Sequence, residues 1–172
     1  MASWLATTIS VITGGVLTML AAWLADRRLT ERDRERRREE QRERLATRRT
    51  DFQRQTLLAL QEASQKLLRN TGASLHQDVV AHRTTGKWQR QRLPDDLSND
   101  HLRLITETML LASRVRDDEV RALADRLRSQ TAVVGISSGE SEAQNRMMAA
   151  ADTQGALIQR IGEIVRGLDE AD

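Results

Sequence analysis

The spacing of apolar residues changes twice along this chain. From Met1 to Ala25 no side chain is charged, and Trp4 to Trp23 reads WLATTISVITGGVLTMLAAW, with Asp26, Arg27 and Arg28 directly behind. An apolar stretch of this length with a charged stop predicts a transmembrane helix over residues 1–25. From 26 to 50 only Leu29, Leu45 and Ala46 are apolar, and the sequence becomes a mixture of arginine and acid. No heptad seam can be drawn through it, so it predicts a charged helical stem, solvated or loosely paired.

From Phe52 onward the three- and four-residue spacing of an amphipathic helix returns. Leu57, Leu60, Ser64, Leu68, Thr71, Leu75, Val79 and His82 form one stripe, predicting a helix over about 51–85 that ends near Gly86. The break GKWQRQRLPDDLSND holds the only proline, Pro94. Ser98 then fits an N-cap, and the stripe Leu102, Ile105, Met109, Ala112, Arg116, Val120, Leu123, Leu127, Thr131 and Val134 predicts a helix over about 98–134. The cluster Arg116-Asp117-Asp118-Glu119 also fits a kink or a turn, but the stripe keeps its phase across it and favours one continuous helix. Ser137–Glu140 and Ser141–Gln144 both match a capping box. The repeat Ala143, Met147, Ala150, Gln154, Leu157, Ile161, Ile164 and Leu168 predicts the last helix, over about 140–169. Gly155, Gly162 and Gly167 weaken that helix but permit close packing. Gln154 on its stripe fits a buried polar group that fixes register.

Three helices of about 35, 37 and 30 residues are roughly 52, 55 and 45 Å long, which predicts an antiparallel three-helix bundle over 51–172. The fold class expected is all-α: an N-terminal transmembrane helix continuing into a charged helical stem and an elongated antiparallel three-helix bundle. So elongated a bundle has a thin core, and self-association would supply further burial.

Three segments carry a resemblance: MASWLATTISVITGGVLTMLAAWLADRR, DFQRQTLLALQEASQKL and ETMLLASRVRDDEVRALADRL. On these the chain resembles uncharacterised single-span, helical, membrane-anchored proteins of high-GC bacteria. The resemblance covers most of the chain and implies no activity. The layout is also similar to the membrane-anchored stalk subunit of rotary ATP synthases, from which it departs at Gly86 and Pro94, where the helix folds back.

Charge sets the expected topology. Of 172 residues 30% are charged, yet the net charge is only +2. Residues 26–50 hold eleven arginines against seven acids, so the positive excess sits beside the span. Cytoplasmic flanks carry the arginine excess, which places the N-terminus outside and the C-terminal part in the cytoplasm, a single-pass protein of the cell membrane. A cleaved signal peptide fits less well, because no basic residue precedes the apolar run and Ala21-Ala22-Trp23-Leu24-Ala25 makes a poor cleavage site. Trp4 and Trp23 lie roughly 28 Å apart along a helix and fit interfacial anchors. Arg27, Arg28 and Arg32 are placed to meet lipid headgroups. Ala6, Ser10, Gly14, Thr18 and Ala22 recur every fourth residue and fit a small-residue seam for span self-association.

Candidate chemistry is sparse. There is no cysteine, and His76 and His82 are six residues apart, not the spacing of metal ligands on one helix face. No phosphate-binding loop, dinucleotide fingerprint or nucleophile elbow occurs. The sequence therefore predicts no enzyme, no catalytic or metal residue, no cofactor and no small-molecule substrate. Seven acids interleaved in the stem argue against nucleic acid. Trp88, amid Lys87, Arg90 and Arg92, fits either a cap on the bundle end or a partner contact. The function expected is a membrane-tethered cytoplasmic helical scaffold or interaction protein. Its partners would be the lipid bilayer, further copies of itself as a homo-oligomer, and an unidentified cytoplasmic protein. The alternatives are a membrane-active phage- or stress-type protein acting through its span, and a membrane-tethered nucleic-acid binder.

Overall fold

A computed structural model describes the backbone of residues 2–88 and 95–170 and the side chains of residues 37–88 and 98–170. Four helices follow one another: α1 (Ala2–Thr85), α2 (Asp95–Arg114), α3 (Asp118–Val134) and α4 (Glu140–Asp169). The protein is all-α over the described residues. It divides into two compact units, Met1–Arg48 and Arg49–Asp172.

In the first unit the backbone is α1 alone. Side chains 37–49 are all exposed, as expected of a solvated stem, and Arg44 pairs with Glu40 at 4.0 Å one turn away. The predicted span, with Trp4, Trp23, Ala6, Ser10, Gly14, Thr18 and Ala22, lies outside the residues whose side chains are described. So do Arg27, Arg28 and Arg32. Among the described residues no helix is long and apolar enough to cross a membrane.

The second unit is a helical bundle, and its cross-links give the topology. Asn70 and Gln53 of α1 bond His101 and the Arg114 carbonyl of α2, so α2 runs antiparallel to α1. Ala112 and Ala124 line one cleft with Thr108 and Arg128, so α3 turns back along α2. Arg146 of α4 donates to the Val133 carbonyl and Arg160 to Asp117, so α4 reverses again. His82 meets Glu140, Ser64 meets Gln154 and Arg54 meets Asp169, which sets α4 antiparallel to α1. The four helices pass up, down, up and down, each beside the next, and α4 closes on α1.

This corrects the expectation of three helices with a continuous helix over 98–134. The chain folds back at Val115–Asp117, between α2 and α3. Three features make the turn. Asp117 is the N-cap of α3, and its carboxylate accepts the Val120 N–H at 2.8 Å. Arg114 ends α2 while Asp118 and Glu119 open α3, each charge at the helix end that favours it. Gln53 of α1 then satisfies the turn's backbone, donating to the Arg114 carbonyl at 3.0 Å and accepting the Arg116 N–H at 3.2 Å. The unbroken stripe misleads because only its later part, Val120, Leu127, Thr131 and Val134, faces the core, while Leu102, Met109 and Arg116 before it are exposed.

The predicted end of α1 is observed: Gly86, at φ 69°, donates its N–H to the His82 carbonyl at 2.8 Å. The start of α4 differs from both expected capping boxes. Glu142 accepts the Ser138 N–H at 2.7 Å and its hydroxyl at 2.6 Å, while Glu140 turns to His82. Those two bonds hold the Glu142 carboxyl below its ordinary value.

The core joins Leu57 and Leu60 of α1, Val115, Val120, Ala124 and Leu127 around the hairpin, and Ala150, Leu157 and Ile161 of α4. Gln154 is buried among them and donates to the Ser64 hydroxyl at 3.2 Å, tying the register of α4 to α1. Helix α1 runs straight through Gly72, where the Met147 methyl sits 3.2 Å from the place a Cβ would occupy. The α4 glycines are different: a Cβ at Gly155 or Gly167 would meet nothing within 4 Å, and at Gly162 only an arginine side chain. They are not close-packing sites, contrary to the sequence expectation. Gly155→Ala and Gly167→Ala are each expected to raise the unfolding free energy by about 0.5–1 kcal/mol, because alanine removes unfolded-state freedom at no steric cost. A urea titration reads this as a higher midpoint at unchanged slope.

Candidate interaction surface

Helix α2 is apolar on two sides. Its inner side, Leu104, Thr108 and Val115, is buried, with Leu111 and Ala112 packed against the core. Its outer side carries Leu102, Met109 and Leu110, which are 63%, 52% and 50% exposed. At about 100° per residue, Ser98, Asn99, Leu102, Thr106, Met109, Leu110 and Ser113 share this outer arc. None of them is charged, in a chain where 30% of residues are. The charged residues of this stretch, Asp100, Arg103, Glu107 and Arg114, collect along one edge. Sequence reasoning found the outer stripe but placed it in the core: Leu102, Ile105, Met109 and Ala112 were expected to face inward. The hairpin reverses that assignment for Leu102 and Met109, because it hands the inner face to Leu104, Thr108 and Val115.

The two ends of the bundle are closed by polar clasps. At the far end, the Trp88 indole N–H donates to the Ser137 carbonyl at 2.9 Å and its ring meets His82 edge-on at 5.6 Å. His82 Nδ1 lies 2.9 Å from Glu140 Oε2, and Gln144 donates to the other Glu140 oxygen at 3.0 Å. Trp88 is thus placed as the cap on the bundle end, fastening the segment after α1 to the α3–α4 turn. At the near end, Arg160 of α4 binds Asp117 at 2.7 Å and Glu119 at 3.1 Å. The Arg160 hydrogen bond is the main cause that holds the Asp117 carboxyl below its ordinary value, helped by the Val120 N–H and opposed by desolvation. Sequence reasoning missed Gln53 and Arg160, since neither stands out until the hairpin brings them together. The available signal was Asp117 three residues before Val120 with two acids between.

His76 is exposed and apart from His82, and among the described residues no three His, Asp or Glu side chains gather where an ion could be held. No family model, curated protein or solved structure matches this chain.

Proposed function

We propose that this protein is a membrane-tethered, self-associating helical scaffold whose bundle lies in the cytoplasm. The observation that carries the tether is the charge-free opening Met1–Ala25 with its arginine-rich flank, long enough for one span. In this reading Trp4 and Trp23 anchor the two interfaces, Arg27, Arg28 and Arg32 meet headgroups, and the Ala6–Ala22 seam brings two spans together. The bundle's part is to present a surface, and the exposed Leu102, Met109 and Leu110 of α2 support this role.

Two measurements on whole cells test the proposal. The full-length chain is expected to stay in the membrane pellet through an alkaline carbonate wash. Protease added outside intact cells is expected to leave residues 26–172 uncut. Release by carbonate, or shaving of the C-terminal part from outside, overturns the reading.

A further inference from the structure

We infer that a buried water molecule ties α2 to α3, bound between the Thr108 hydroxyl and the Asp125 carboxylate. The site rests on an unpartnered hydroxyl and on the cleft beside it, and is independent of the membrane tether.

Thr108 is 1% exposed, and among the described residues its hydroxyl has no hydrogen-bond partner. The other buried threonines find a partner within their own helix. Thr56, Thr71, Thr131 and Thr153 each donate to a carbonyl three or four residues back, at 2.7–3.1 Å. Thr108 makes no such bond. A buried hydroxyl left unpaired is costly, and an ordered water serves where no protein group does.

The cleft has both the room and the polarity. Its volume is about 50 Å³, and Thr108, Met109, Ala112, Ala124, Asp125 and Arg128 line it. A water needs at least about 10–15 Å³ of such space, whereas small-molecule pockets begin at about 300 Å³. Ala112 and Ala124 are too short to fill the gap between the helices. Asp125 supplies the second partner. Arg128 places both its bonds to Asp125 on Oδ1, at 3.1 and 2.6 Å, so Oδ2 accepts none among the described residues. The water accepts from Thr108 and donates to Asp125, which meets the minimum of about two partners for a buried water. A metal ion is a poorer occupant. One hydroxyl and one free carboxylate oxygen fall short of the roughly six to eight oxygens that calcium takes.

Urea titrations of the full-length chain test the bridge. Thr108→Val keeps the shape of the side chain and removes the hydroxyl. It is expected to lower the midpoint by about 0.5 M, because the water loses its donor. In a dry cleft valine would remove an unpaired group, and the midpoint would rise. Asp125→Ala is expected to lower the midpoint too, and by less in the Thr108→Val background than in the parent, since both changes break one bridge. A midpoint unchanged or raised by Thr108→Val overturns the bridge, and so do shifts that simply add. A crystal structure of the full-length protein is expected to show a water about 2.5–3.0 Å from both Thr108 Oγ1 and the Asp125 carboxylate, and to lose it in Thr108→Val. A Thr108 hydroxyl turned onto the Leu104 carbonyl beside an empty cleft overturns it as well.

Discussion

Alanine in place of Leu157 is expected to lower the unfolding free energy of the bundle by about 2–5 kcal/mol. Leu157 is 0% exposed and sits where α4 meets the core from both α1 and the α2–α3 hairpin. Truncation removes buried methyl groups and leaves a cavity that four packed helices cannot collapse around. At a typical marginal stability of about 5–15 kcal/mol this is a large share of the total. Urea unfolding followed by helical circular dichroism reads it as a fall in midpoint. A paired test on α2 discriminates four helices from three. Leu104 is 3% exposed and Leu102 is 63% exposed, two residues apart. Leu104→Ala is expected to cost about 2–4 kcal/mol and Leu102→Ala under about 0.5 kcal/mol in dilute, unassociated protein. With a continuous helix over 98–134 the order would be reversed.

The second large effect is expected at the hairpin. Asp117→Ala removes the cap of α3 and the partner of Arg160 together. The cap alone is worth about 0.5–2 kcal/mol. Asp117→Asn keeps a side-chain oxygen for the Val120 N–H and loses the charge, so it is expected to recover most of the cap. The same carboxylate gives an acid-side dependence. Its folded value lies below its unfolded one, so the stability it contributes is complete above the unfolded value of about 3.9. That contribution is lost as the pH falls through the folded value. Urea midpoints for the parent protein should therefore drop more steeply below about pH 4 than those of Asp117→Asn, and the two curves should converge at the lowest pH. Parallel curves would count against the Arg160 clasp.

Much of the fold was legible from spacing. The end of α1 at Gly86, the last helix over about 140–169 and the core residues Leu57, Leu60, Val120, Leu127 and Leu157 all follow from amphipathic periodicity and stop signals. The hairpin between α2 and α3 was not, for a physical reason. Its turn contains neither glycine nor proline, and Val115 inside it is a core residue. Within α2 the spacing also picked the wrong face: Leu102, Met109 and Arg116 are exposed, and the buried Leu104, Thr108 and Val115 were not on the stripe. What specifies the reversal is Asp117 as a cap and Gln53 as a partner for turn backbone, the second of which lies more than sixty residues away in sequence. The candidate surface was half legible. Leu102 and Met109 were picked out as an apolar stripe, but only the reversed path of the chain turns that stripe outward.

An even number of passes has a practical outcome. In the bundle Arg54, just inside the first pass, is ion-paired with Asp169 on the last, so chain that leaves α4 departs from the end at which Arg49 came in. A fluorophore fused behind the C-terminus reports from that end. One attached at Asp51, at the start of the first pass in the bundle, reports from the same end. Energy transfer between those two labels measures the number of passes directly: an odd count would put them about 50 Å apart, by the length of the 51–85 segment.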